Sequence, residues 1–147
     1  MTMEQRDIFA PAFGLMLLTF AVWVLMYLRR RDFVRANSIR LRDIATPEAM
    51  ARTLNEHAAN PGNNFSNLLE LPTLFYFMCV YLYAVAEVDA VYLTLAWAFV
   101  VLRAGHSYVQ CTSNRVSRRL LLYALASLAL WLMIGRAAVN FVISAGS

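Results

Sequence analysis

Four long apolar segments constrain this chain more than any other feature. They run over approximately residues 8–28, 66–86, 88–110 and 118–142. Each supplies the ~20 apolar residues that a helix needs to cross the hydrocarbon of a bilayer. A backbone in lipid must satisfy its own polar groups, so segments of this length fold as helices. Composition agrees: 61% of residues are hydrophobic and the mean hydropathy is +0.54. Soluble domains sit nearer half apolar. The expected fold class is an all-α integral membrane protein, a four-transmembrane-helix bundle, with residues 1–147 forming a single domain. The leader MTMEQRD carries two acids, and no small-residue cleavage site follows the first span. That span is therefore expected to be a membrane helix rather than a signal peptide.

Charge sets the expected orientation. All 13 basic residues are arginine, against nine acids, for a net charge of +4. Seven arginines lie in the 29–63 loop: Arg29, Arg30, Arg31, Arg35, Arg40, Arg42 and Arg52. Arg115, Arg118 and Arg119 mark the 111–117 loop and its edge, whereas the 87–89 turn holds only Glu87 and Asp89 as charges. The positive-inside rule places both arginine-bearing loops in the cytoplasm and both termini on the far side. Arginines that flank apolar runs report topology, so no nucleic-acid partner is expected and membrane lipid is. Cys79 and Cys111 lie in or beside apolar segments without a CxxC pair. They read as reduced apolar thiols, with neither a disulfide framework nor a metal site.

The long loop has its own helix signal. In TPEAMARTLNEHAANPG, Thr46 reads as an N-cap, Pro47 as the first helical residue and Asn-Pro-Gly as a stop. Met50, Leu54 and Ala58 would then share one face of a short helix at the membrane edge, with His57 solvated.

The second span raises the chemical question. NLLELPTLFYF puts Glu70 and Pro72 at the entrance of a strongly apolar run. A carboxylate at mid-membrane costs roughly 3 kcal/mol on insertion scales. Asn63, Asn67 and Glu70 are spaced to share one helical face, and Pro72 predicts a kink beside it. Arg103, His106, Ser107, Gln110 and Asn114 fall on one face of the third span, and Arg119 and Tyr123 on one face of the fourth. Three polar faces at one depth must avoid lipid by turning towards each other or towards a neighbouring subunit. Taken singly, Asn67, Ser107 or Gln110 reads as packing glue, and Glu70 with Arg103 as a structural ion pair. Taken together they read as a site for a polar, charged ligand. Arg136 and Asn140, near the opposite surface, read as snorkelling to headgroups.

With NxxExP in the second span, RxxH in the third and RxxxY opening the fourth, the chain resembles the MAPEG proteins, membrane-associated proteins in eicosanoid and glutathione metabolism. NNFSNLLELPTLFYF and LRAGHSYVQCTSNRVSRR are similar to the bacterial branch of that family. The resemblance implies a homotrimer in the bacterial inner membrane, with glutathione held between subunits near the cytoplasmic face. It assigns Asn67 and Glu70 to glutathione contact, with His106, Arg103 and Tyr123 beside them and Arg29 or Arg31 from the end of the first span. It gives Arg119 the catalytic task of stabilising the glutathione thiolate. The implied function is a glutathione-dependent transferase or peroxidase acting on a lipophilic electrophile. Two departures weigh against the cofactor: Asn63 and Ser66 stand where the enzymes carry arginines. Gln110 also stands where the eicosanoid enzymes often carry tyrosine. The alternatives are a non-catalytic membrane scaffold or lipid-binding trimer, and a small proton-coupled exporter built on Glu70.

Overall fold

The computed structural model describes residues 4–145, and every regular element among them is helical. A 3-10 turn at Gln5–Ile8 leads into α1 (Phe9–Ala36). A second 3-10 turn at Leu41–Ile44 and the short α2 (Pro47–Thr53) form a strap. Then follow α3 (Glu56–Leu69), α4 (Leu71–Ala84), α5 (Ala90–Cys111) and α6 (Val116–Ala145). Four stretches are long and apolar enough to cross a membrane: Gln5–Ala36, Glu56–Ala84, Ala90–Cys111 and Val116–Ala145. The shortest, 22 residues, extends about 33 Å at the helical rise, enough for a bilayer core. The chain is thus a four-helix integral membrane bundle.

Burial follows the helical periodicity. Leu15, Val22, Phe75, Leu82, Tyr92, Phe99, Leu130 and Met133 fill the core, with Phe75 and Phe99 stacked at 4.7 Å between ring centroids. Phe13, Leu17, Phe20, Phe77, Val101, Leu128 and Trp131 point outward, as lipid-facing side chains should. The hairpin of α5 and α6 packs along its length, and α1 lies against α3 and α5.

The span bounds depart from the sequence expectation at both ends of the long loop. The first helix continues through the arginine cluster to Ala36. Thr46 does cap α2, its Oγ1 accepting from the Ala49 N–H at 3.2 Å. The helix ends at once, because Leu54 is extended. Asn55 then caps α3 by accepting from Ala58 N–H. Met50 and Ala58 therefore lie on different helices. Asn-Pro-Gly is not a stop either: Pro61 and Gly62 are buried inside α3. Pro61 cannot donate to the carbonyl of His57. Arg29 Nη1 reaches that carbonyl at 3.3 Å instead, so a side chain from α1 takes the place of the missing helical bond.

The expected kink is present. Glu70 is neither in α3 nor in α4, with φ −87° and ψ −95°. Pro72 is in the first turn of α4, where a missing N–H costs nothing. The second span is therefore two helices meeting at Glu70.

Candidate functional site

The break at Glu70 frees carbonyls at the end of α3, and Arg103 takes one of them. Its Nη2 donates to Asn67 O at 2.5 Å. The Arg103 side chain is fully buried, yet Nε and Nη1 have no hydrogen-bond partner among the described residues. Its guanidinium carbon sits 5.6 Å from the centroid of the Tyr123 ring, within cation–π range.

In front of Arg103 lies a cavity of about 510 Å³. Its polar wall is Asn63, Ser66 and Asn67 from α3, His106 and Gln110 from α5, and Arg119 and Tyr123 from α6. Val116 and Leu120 supply its apolar part. The volume falls within the range of small-molecule sites, roughly 300–1,000 Å³.

The wall is wired together. The Asn67 and Gln110 side-chain amides meet at 3.3 Å, and Gln110 reaches His106 Nε2 at 2.9 Å. His106 Nδ1 lies 3.0 Å from the Arg119 carbonyl. A carbonyl facing Nδ1 requires the proton there. Gln110 Oε1 lies at Nε2 and also accepts from Asn67 Nδ2, so a neutral ring finds a donor at Nε2 when the Gln110 and Asn67 amides are turned together. Arg119 Nη1 donates to Asn114 Oδ1 at 2.9 Å, leaving the rest of its guanidinium towards the cavity. Asn114 is not on the α5 face as the spacing suggested. It sits in the turn after that helix with φ 46°, and its N–H donates to Val109 O at 2.7 Å. The tight turn lets an asparagine hold an arginine five residues later.

Asn67, His106, Arg119 and Tyr123 therefore share one cavity, with Arg103 directly behind. Glu70 and Arg29 are elsewhere. Glu70 is exposed on the kink, and its carboxylate makes no hydrogen bond or ion pair among the described residues. Among the described residues the expected ion pair with Arg103 is not formed: Arg103 Nη2 donates to Asn67 O instead, and the Glu70 charge acts on the guanidinium only through space. Arg29 is a strut: Nη1 donates to Cys111 O at 2.8 Å as well as to His57 O.

Sequence reasoning passed over Asn64. It is fully buried, accepts from Ser107 Oγ at 3.2 Å and lies 3.6 Å from Cys111 Sγ. The Asn63-Asn64 pair splits its roles, one lining the cavity and one joining α3 to α5. Ser107 is accordingly glue rather than wall.

Arg136 and Asn140 do not snorkel. Arg136 forks onto the Asp89 carboxylate, with Nη1 to Oδ1 at 2.8 Å. It also stacks 4.2 Å from the Tyr92 ring centroid. The Arg136 guanidinium holds the Asp89 carboxyl down to about 2. Asn140 Nδ2 donates to Glu87 at 3.2 Å.

Among known proteins, no curated protein and no solved structure matches this sequence. The sequence model of the MAPEG family does, over residues 8–139. That match covers nearly all of the four-helix bundle and both walls of the cavity, and it shows that the chain belongs to the MAPEG family.

Proposed function

We propose that the protein is a glutathione-dependent transferase or peroxidase acting on a lipophilic electrophile. The observation that carries this reading is the cavity itself, where Arg119, Tyr123, His106 and Asn67 converge at the arginine-rich end of a membrane bundle. Family membership supports the glutathione-related class.

The donor set suits a peptide-like thiol. Asn63, Ser66 and Asn67 offer amide and hydroxyl partners for backbone-like groups. Arg119 is the cation on the cavity wall, and Asn114 fixes one of its nitrogens. Bound glutathione supplies the nucleophilic sulfur. Only its thiolate reacts well, and a free thiol near pKa ~8.5 is mostly protonated at neutral pH. Arg119 cannot deprotonate, so it stabilises negative charge over the whole working range. The Tyr123 hydroxyl, unbonded among the described residues, is free to donate beside it. Val116 and Leu120 present an apolar surface to the second substrate.

The reading includes a homotrimer. An exposed, unpartnered carboxylate at Glu70 inside a membrane span is costly against lipid. A neighbouring copy that covers this face and brings a donor or cation to the carboxylate offsets that cost. A second reading, a scaffold that kept the fold and lost the cofactor, rests on Asn63 and Ser66, both neutral on the cavity wall. Isothermal titration of glutathione into the detergent-solubilised protein separates the two. Binding that weakens in Arg119→Ala supports the enzyme, and a folded protein that takes up no glutathione supports the scaffold.

A further inference from the structure

A second cavity, of about 400 Å³, lies between the last turns of α1, the 45–54 strap and α3. Arg30 forms its cationic wall, with Asn63 and Thr46 as polar neighbours and Met50, Ala51 and Leu54 as apolar ones. The Arg30 Nε is buried without a partner, and no ion pair reaches this guanidinium among the described residues. The acids of the strap do not serve it. Asp43 is held by Arg40 at 3.4 Å and by Arg42 at 3.7 Å, and Glu48 and Glu56 are exposed. Gly62 makes room for the arrangement, because a Cβ there would overlap the Arg30 guanidinium. A half-buried cation without a counter-charge is unfavourable as it stands and favourable once an anion arrives.

We propose that this cavity binds the anionic head of an amphiphile, with Arg30 as the cation and Met50, Ala51 and Leu54 along the apolar part. The chemistry is that of a single carboxylate or phosphate on a hydrocarbon body. Arg30 stands near the end of a membrane-capable helix, where anionic headgroups and free acids both concentrate. The site goes beyond the thiol cavity, touches it only through the shared wall of Asn63, and does not require the thiol reading to hold.

The test is equilibrium dialysis of labelled decanoate against the protein in phosphatidylcholine nanodiscs, with empty discs subtracted and decanol as the neutral control. Saturable excess uptake of decanoate, and none of decanol, is expected. Arg30→Gln should weaken it about tenfold or more, the scale of one charge-assisted contact. Gly62→Ala keeps the charge but displaces the guanidinium and should weaken uptake as well, whereas Arg30→Lys should retain most of it. Arg119→Ala should leave decanoate uptake unchanged, which separates this site from the thiol cavity. Discs of phosphatidylglycerol identify the source: lost uptake there points to bilayer headgroups, and retained uptake to a free acid. Equal uptake of decanol and decanoate, or full uptake by a folded Arg30→Gln protein, would overturn the proposal.

Discussion

The two ends of this bundle handle polar groups in opposite ways. At the acidic turn between α4 and α5, each charge has a partner. Arg136 forks onto Asp89, Asn140 reaches Glu87, and Gln5 both donates to Val88 O and accepts from Val88 N–H. At the arginine-rich end the polar groups are closer to the core but less satisfied. Among the described residues, Arg103 has two unpartnered nitrogens, Arg30 has one, and Glu70 has no ion pair. A membrane protein gains nothing from burying unsatisfied charge for stability alone. The closed cluster therefore reads as a clamp. The open one reads as a receptor for something the single chain does not contain.

The largest expected effect lies at the open end. Arg119→Ala should lower glutathione-dependent turnover about 10²- to 10³-fold, the cost of removing one pre-set donor to developing charge. Steady-state kinetics with a chromogenic electrophile measures it. The rival reading of the open end as scaffold predicts no turnover in either protein.

A matched pair of substitutions makes the comparison sharper, because the signs should differ. Arg103→Met removes a buried guanidinium whose hydrogen bonds are mostly unmade. Stability should hold or rise, by less than the roughly 1–4 kcal/mol gained when a whole buried ion pair is replaced, because Asn67 O loses its donor. Glutathione-dependent kcat/KM should fall about tenfold or more, as the cavity loses the charge behind it. Arg136→Met removes a satisfied, partly exposed pair. Stability should drop by about 1–2 kcal/mol, discounted for exposure, and turnover should stay as it was. Thermal unfolding in detergent, followed by activity after reconstitution, reads both. Destabilisation by both substitutions, with turnover lost in both, would erase the distinction between clamp and receptor.

The clamp also has a pH signature. Arg136 lowers the Asp89 carboxyl from 3.8 to about 2 in the folded chain. A depressed acid contributes its full stability above the unfolded value and loses it as pH falls through the folded one. The stability difference between the parent and Asp89→Asn should therefore be constant from neutral pH down to about 5. It should then shrink steadily as pH falls from the unfolded value of 3.8 towards about 2. A difference that already fades between pH 7 and pH 5 would mean that Arg136 is not the partner that matters.

Much of this was legible in the sequence, and what escaped has physical causes. Length and apolarity mark the four spans, and the N-cap at Thr46 and the kink before Pro72 are local signals that the structure repeats. The convergence of Asn67, His106, Arg119 and Tyr123 follows from helical spacing plus the need to avoid lipid. Several of the misses involve a partner distant in the chain, and the others a local break of the helix. Pro61 continues inside α3 because Arg29, 28 residues before His57, takes the orphaned His57 carbonyl. Arg136 turns inward because Asp89, 47 residues earlier, caps the neighbouring helix. Glu70 forms no ion pair with Arg103 among the described residues because the helix breaks at Glu70 and Arg103 donates to the carbonyl of Asn67, which periodicity along a continuous helix cannot register. Asn63 and Asn64 look alike in the sequence, and only packing against Cys111 and Ser107 separates them.

The smallest expected effect tests whether the clamped end can be tightened without reaching the open one. α4 ends in a Schellman turn: Glu87 N–H donates to Leu82 O at 3.1 Å and Ala86 N–H to Tyr83 O at 3.2 Å. The residue between them, Ala86, has φ 57°, a left-handed conformation in which a Cβ costs roughly 1–2 kcal/mol. Glycine carries no such cost at this position, though it loses more entropy on folding. Ala86→Gly should therefore stabilise the protein by about 0.5–1 kcal/mol net. Ala86 is exposed, so no core contact is lost to offset the gain. Thermal unfolding should show a shift of a few degrees upward, with glutathione titration unchanged. A change in glutathione affinity would mean that strain at the acidic turn is felt across the membrane along α4 and the break at Glu70. The two ends would then be one coupled unit rather than a clamp and a receptor built on the same helices.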